Sequence, residues 1–189
     1  ELYLQAIDHT LRQGRSAICL IPEIALTPQT TDRFHERFGN RVAVWHSRLS
    51  GGERSATWSA IRRGEVRVVL GTRSAVFAPF ENLGLIIMDE EHEASYKQEQ
   101  KPMYHVREVA LERARWHNAV LVMGSATPSL ESYWRAQQGE FRLVELKERV
   151  LGRPLPPVFT VDQRQEKEGR KLAVISDAML KALEQCLAK

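Results

Sequence analysis

Long apolar runs are missing from this chain. None approaches the roughly 20 residues a membrane-spanning helix needs, so no bilayer-crossing segment is expected. No signal-peptide pattern opens it, and the first residue is Glu1 rather than Met, which leads us to expect a piece of a longer protein. Cysteine is scarce. Cys19 sits in an apolar strand-like run and Cys186 in a helical one, with no further ligand at metal spacing beside either. Both read as small core hydrophobes in a reducing compartment, so a cytoplasmic protein without a disulfide is expected. No charge of one sign dominates: 27 Lys and Arg stand against 24 Asp and Glu, for a net charge of +3. That balance permits a nucleic-acid partner without arguing for one. Repeats of solenoid type are absent.

What is present is ordinary globular composition, 43% hydrophobic and 27% charged, in 189 residues, enough to bury one sizeable core. Short apolar runs alternate with amphipathic stretches, the pattern of a parallel sheet covered by helices. Strands are expected at Ala17–Ile21, Val42–Trp45, Val66–Leu70, Leu85–Met88 and Val120–Met123. Tyr3, Ile7 and Leu11 form a helical stripe ended by Gly14. Thr27-Pro28 opens a helix carrying Phe34 and Phe38, since Thr caps free N–H groups and Pro fits the first turn. Ser50-Gly51-Gly52-Glu53 is a capping box, and Arg62-Arg63-Gly64 ends its helix. Val106, Val109, Ala110, Ala114 and His117 line one helical face, and Thr127-Pro128 repeats the earlier helix opening. Trp58, Trp116 and Trp134 fall on helices and read as core or groove fillers. After residue 146 the composition shifts. Gly152–Pro157 and the polar run Gln163–Lys171 read as a connector, with an edge strand at Val158–Val161 and a last helix opened by Ser176. The expected domains are therefore residues 1–146, a nucleotide-binding lobe, and 147–189, a connector and helix.

Chemistry is concentrated at strand ends. Leu85-Ile86-Ile87-Met88 delivers Asp89-Glu90-Glu91-His92 at its carboxyl end, where open α/β sheets bind ligands. Phosphoryl transfer needs one carboxylate to hold Mg²⁺ and another to orient or deprotonate the attacking water, roles that fit Asp89 and Glu90. A strand ending in Asp-Glu alone reads sooner as the acidic cap of a loop. Gly124-Ser125-Ala126-Thr127 closes the following strand with small residues and two hydroxyls, able to hydrogen-bond the acidic quartet or simply to cap the next helix. Pro22-Glu23-Ile24-Ala25-Leu26-Thr27-Pro28-Gln29 and Gly71-Thr72-Arg73-Ser74-Ala75 follow two other strands. Exposed N–H groups, hydroxyls and one arginine there suit the phosphates of a nucleic-acid strand, and each segment alone also reads as a capped turn. In Tyr96–His105, tyrosines interleave with lysines, which suits base stacking and phosphate neutralisation or, equally, a solvated loop covering the sheet edge. His46 reads as a core or turn histidine.

The Asp-Glu-Glu-His and Ser-Ala-Thr segments, in this order, resemble motifs II and III of superfamily 2 helicases. The segments at 22–29 and 71–75 resemble motifs Ia and Ib of the PriA family of replication-restart helicases, and the resemblance runs the length of the chain. It implies a RecA-like α/β fold, a parallel sheet with helices on both faces. It also implies an ATP-dependent 3′-to-5′ DNA helicase acting in primosome assembly at stalled forks. The implied cofactors are ATP and Mg²⁺, met by Asp89, Glu90, Glu91, His92, Ser125 and Thr127, with Asp89 on the metal and Glu90 as catalytic base. The implied DNA track is Glu23, Thr27, Gln29, Thr72, Arg73, Ser74, Tyr96, Lys97 and Tyr104. Expected partners are single-stranded and forked DNA, primosome proteins and single-stranded-DNA-binding protein. The family's structural zinc belongs to a second lobe whose ligands are not in this sequence. No Gly-x-x-x-x-Gly-Lys-[Ser/Thr] loop occurs in it either, so the chain alone is expected neither to hydrolyse ATP appreciably nor to unwind DNA. Two rival readings stand beside this one: another superfamily 2 DNA or RNA helicase, and a non-catalytic single-strand-binding module descended from a helicase.

Overall fold

The computed structural model describes residues 1–146, 156–162 and 175–188. The chain divides into two units, Glu1–Leu143 and Val144–Lys189. The first is built on five strands: β1 (Ser16–Leu20), β2 (Val42–Trp45), β3 (Val68–Gly71), β4 (Leu83–Met88) and, after a small hairpin, β7 (Val120–Met123). They are all parallel, in the order β2-β3-β1-β4-β7. The inner strands β1, β3 and β4 are buried at every residue, as a sheet covered on both faces requires. Alternation sorts their side chains. Ala17 and Cys19 join Val68, Leu70, Leu85 and Ile87 in one core, under α1 (Leu2–Arg12) and α2 (Pro28–Phe38). Ile18 and Leu20 join Val69, Ile86 and Met88 in the other, under α3 (Gly51–Arg62) and α4 (Val106–His117). The parallel sheet with helices on both faces is therefore as expected, with strand ends shifted by one or two residues.

Local chemistry explains the helix boundaries. Thr27 Oγ1 accepts from the Thr30 N–H at 3.2 Å to open α2. The Ser50/Glu53 capping box of α3 is complete, with the Ser50 N–H donating to Glu53 Oε2 at 2.8 Å. Gly64 ends that helix in the left-handed region at φ 75°. One opening differs from expectation. The helix after β7, α5 (Leu130–Gln137), is capped by Ser129 rather than Thr127. The sequence offers both, two residues apart, and a distant carboxylate, Glu91, selects the second by taking the Ser129 N–H.

Trp116 is 79% and Trp134 60% exposed, so neither fills a core. Each lies two residues beyond a buried position, Ala114 and Ser132, and so on the far side of its helix. Trp58 is partly exposed and packs on Trp45, ring centroids 6.3 Å apart. Tyr96–His105 contains β5 (Lys97–Gln98) and β6 (Tyr104–His105), paired antiparallel.

In the second unit, α6 (Asp177–Leu187) opens at Ser176, whose hydroxyl accepts from the Met179 N–H at 3.2 Å. Cys186 is exposed there, not a core residue, whereas Cys19 is buried. Val158–Val161 is not a strand: it finds no ladder partner among the described residues. The polar run 163–171 and most of 152–157 lie outside the described residues. No helix among the described residues is long and apolar enough to cross a membrane.

Candidate functional site

All five strands of the large sheet end along one edge, and the chain's path reverses direction across β1, between β3 and β4. Crevices at such a reversal are where open parallel sheets hold ligands. Every segment singled out from the sequence at a strand end starts on this edge.

On one side stand the ends of β4 and β7. Asp89 follows β4 directly, its N–H donating to Leu20 O at 2.9 Å. The Tyr3 phenol on α1 donates to Asp89 Oδ1 at 2.7 Å, and the Tyr96 phenol donates to the Asp89 backbone oxygen at 2.7 Å. Burial pushes both phenols far above their ordinary pKa, and the Asp89 carboxylate adds to this, so both remain protonated donors. Glu90 adopts the left-handed region at φ 46° with its side chain 45% exposed. His92 Nδ1 is hydrogen-bonded to Ser125 Oγ at 2.7 Å and lies 3.6 Å from Glu90 Oε2. Ser125 Oγ also accepts from the Thr127 N–H at 3.0 Å, which folds the segment after β7 back on itself.

Glu91 departs from its expected role as a nucleotide-site residue. Its side chain is 2% exposed, and it turns inward to the start of α5. It accepts from the Ser129 N–H at 2.6 Å, the Ser129 hydroxyl at 3.1 Å and the Ser132 hydroxyl at 2.7 Å. Arg107 Nη1 lies 3.7 Å from it and donates to both serine hydroxyls. A carboxylate so buried and so fully engaged is a structural clamp between the acidic turn, α4 and α5. Arg107, Ser129 and Ser132 were not predicted. The only local sign of them is the Ser129-x-x-Ser132 spacing.

The other side is formed by the ends of β1, β2 and β3 and by the β5–β6 hairpin. A cleft of about 300 Å³ lies there, lined among others by Glu23, Ser47, Thr72, Ser74, Gln98 and Tyr104. Glu23 accepts from the Ser47 hydroxyl at 3.1 Å, and Trp45 Nε1 donates to Ser74 Oγ at 3.2 Å. Arg73 also lines the cleft, and its Nη1 donates to the carbonyls of Ser95 at 3.1 Å and Lys97 at 2.9 Å, fastening the hairpin's base to the end of β3. Tyr104 packs edge-on against Phe77, centroids 5.2 Å apart. Of the expected track residues, the cleft gathers Glu23, Thr72, Arg73, Ser74, Tyr96 and Tyr104. Thr27 and Gln29 stand outside it, exposed at the start of α2, and Lys97 is exposed on β5. Tyr96 is corrected in role: at 1% exposure, with its hydroxyl on Asp89, it offers no face to a base.

The donor set suits a hydrated Mg²⁺. Asp89 and Glu90 supply hard carboxylate oxygens, and no hydrogen bond among the described residues engages Asp89 Oδ2.

Residues 2–135 match the DEAD/DEAH box helicase family. The chain is 54% identical over 189 residues to the replication restart protein PriA of Bacillus subtilis (strain 168), covering 100% of this chain and 24% of that protein. Against PriA of Synechocystis sp. (strain ATCC 27184 / PCC 6803 / Kazusa) it is 51% identical over 194 residues, covering 100% and 23%. The chain thus spans about a quarter of the length of the curated relatives it matches. Among solved structures, RecG bound to a three-way DNA junction is similar over 73% of this chain and 18% of that one, at 27% identity and a TM-score of 0.49.

Proposed function

Because the chain belongs to the DEAD/DEAH box helicase family, we propose that it is part of the first motor lobe of an ATP-dependent 3′-to-5′ DNA helicase of the PriA type. Its work is primosome assembly and restart of stalled replication forks in the cytoplasm, with single-stranded and forked DNA, primosome proteins and single-stranded-DNA-binding protein as partners. Residues 1–146 form the lobe and 147–189 the connector toward a second lobe, which carries the structural zinc. One observation supports this above the rest: Asp89, Glu90 and the His92–Ser125 pair share a sheet edge with the cleft between β1, β3 and the hairpin. An acid site for phosphoryl transfer and a groove for a strand then stand side by side.

Membership of the family implies ATP and Mg²⁺. Asp89 would hold the ion through its water shell, and the bound ion supplies charge neutralisation on the phosphates. Glu90, placed outward by its left-handed backbone, orients the attacking water and accepts its proton. His92 and Ser125 tie that turn to the segment after β7, so a shift at either is felt at the other. On the cleft side, Ser74 and the Arg73 guanidinium contact backbone phosphates, a mode of binding indifferent to sequence, whereas Thr72, only 4% exposed, is corrected from a phosphate contact to part of the cleft wall. Tyr104 and Lys97 on the hairpin add a ring and a cation.

The test is Glu90→Gln in the complete protein. ATP turnover is expected to fall at least about a hundredfold, with single-stranded-DNA affinity within a few-fold of the parent. Undiminished turnover would remove Glu90 from its role. Stimulation of the parent by RNA but not DNA would sink the DNA reading.

A further inference from the structure

Asp89 is held from two directions by uncharged phenols. Tyr3 reaches Oδ1 from α1, and Tyr96 reaches the backbone oxygen from the turn before β5, each at 2.7 Å. The approach of Tyr3 depends on a third residue. A Cβ at Gly124 would lie 1.9 Å from the Tyr3 oxygen and 3.5 Å from Asp89 Oδ1, so only glycine leaves the slot through which the phenol passes. Terminal carboxylate torsions are otherwise broad, which lets the plane of the carboxylate turn. With Oδ1 committed to Tyr3 and the backbone oxygen to Tyr96, the carboxylate plane and the peptide plane are each tied to a partner. A phenol orients the carboxylate without cancelling its charge, as a lysine or arginine there would do.

We propose that Tyr3 and Tyr96 are positioning residues for Asp89, fixing its carboxylate so that Oδ2 alone is presented to the cation of the bound nucleotide. This rests on the reading of Asp89 as the cation-holding residue. Partners of metal-holding carboxylates typically change metal affinity by about 10–100-fold when removed. Tyr3→Phe keeps the ring and deletes only the donor, and Gly124→Ala expels the same donor from the opposite side.

The experiment measures Mn²⁺ affinity by electron paramagnetic resonance in the complete protein saturated with a non-hydrolysable ATP analogue, with a melting curve for each variant. Tyr3→Phe should weaken Mn²⁺ binding about tenfold, and Tyr96→Phe should weaken it by less, because it acts through the backbone. Gly124→Ala should match Tyr3→Phe, and combining the two should weaken binding no further than either alone. If Asp89→Asn weakens Mn²⁺ binding while Tyr3→Phe stays within about twofold of the parent, the positioning role is overturned and the reading of Asp89 survives. If Asp89→Asn leaves Mn²⁺ binding unchanged, the reading of Asp89 falls and the proposal falls with it. Should Tyr3→Phe lower the melting temperature too far to measure, Gly124→Ala decides in its place, with the same tenfold loss expected and the same absence of effect overturning it.

Discussion

Around the ends of β4 and β7, polar side chains face one another: Tyr3 meets Asp89, His92 meets Ser125, and Glu91 meets Ser129, Ser132 and Arg107. Around the ends of β1, β2 and β3, side chains of similar chemistry line an open cleft, and Glu23 has one hydroxyl partner. The two stretches of a single edge thus divide the labour. The first must place a few atoms closely, which takes buried partners that leave no alternative geometry. On the reading proposed above, the second accepts a ligand that slides, which takes groups such as Glu23 that are open to solvent and able to exchange partners. Glutamates at 91 and 23 carry the same carboxylate into opposite circumstances, and substitution should separate them sharply.

The largest difference is expected from Glu91→Ala, which leaves three serine donors without their acceptor and Arg107 without its buried counter-charge. It should cost about 3–5 kcal/mol in urea unfolding, as removal of one partner from a buried ion pair does. Glu23→Ala, at the exposed position, should stay within about 0.5 kcal/mol. Equal costs would erase the distinction. Next comes Gly124→Ala, which should destabilise by about 1–3 kcal/mol through overpacking against Tyr3. The penalty should shrink in a Tyr3→Phe background, because the oxygen 1.9 Å from the new Cβ is gone. A penalty unchanged by that background would place the clash elsewhere.

The smallest effect concerns His105, which caps α4 by accepting the Arg107 N–H at 3.2 Å. Burial, with Arg107 adding to it, holds its pKa below the ordinary value of 6.5. In the window just below that value the unfolded chain takes up a proton that the folded chain refuses. Stability contributed here is therefore complete above about pH 6.5 and declines as pH falls, levelling off below the folded pKa. Melting temperatures between about pH 7 and 5 should show this slope, and His105→Asn, which keeps an acceptor at the cap, should flatten it. An unaltered slope would assign the effect to other groups.

Features set within a few residues were legible in the sequence. The capping box at Ser50, the Thr27 cap and the five strands of the sheet need only local patterns, and all are present. The acidic quartet was legible as a unit but not in its division of roles. Nothing near Glu91 announces that its partners lie 38 and 41 residues further on. For the same reason the helix after β7 starts at Ser129 and not at Thr127. Tyr96 had the composition of a stacking loop, yet its ring joins the core and its hydroxyl meets Asp89, while Arg73, more than 20 residues away in sequence, fastens the backbone on either side of it. Tyr3 read as part of an apolar helical stripe, because a phenol's ring and its hydroxyl send opposite signals and only the fold says which is used.

Glu90 carries a further consequence. A non-glycine residue in left-handed backbone stands about 1–2 kcal/mol above its best conformation, and Gly or Asn would relax most of that. A library of this chain selected for heat resistance alone would drift toward those residues at position 90 and lose the carboxylate early. With Glu90 in its proposed role, selection of the complete protein on ATP turnover would hold the glutamate in place against that pressure. The direction of drift under the two regimes is then a measure, read from populations rather than from rates, of what this backbone strain is kept for.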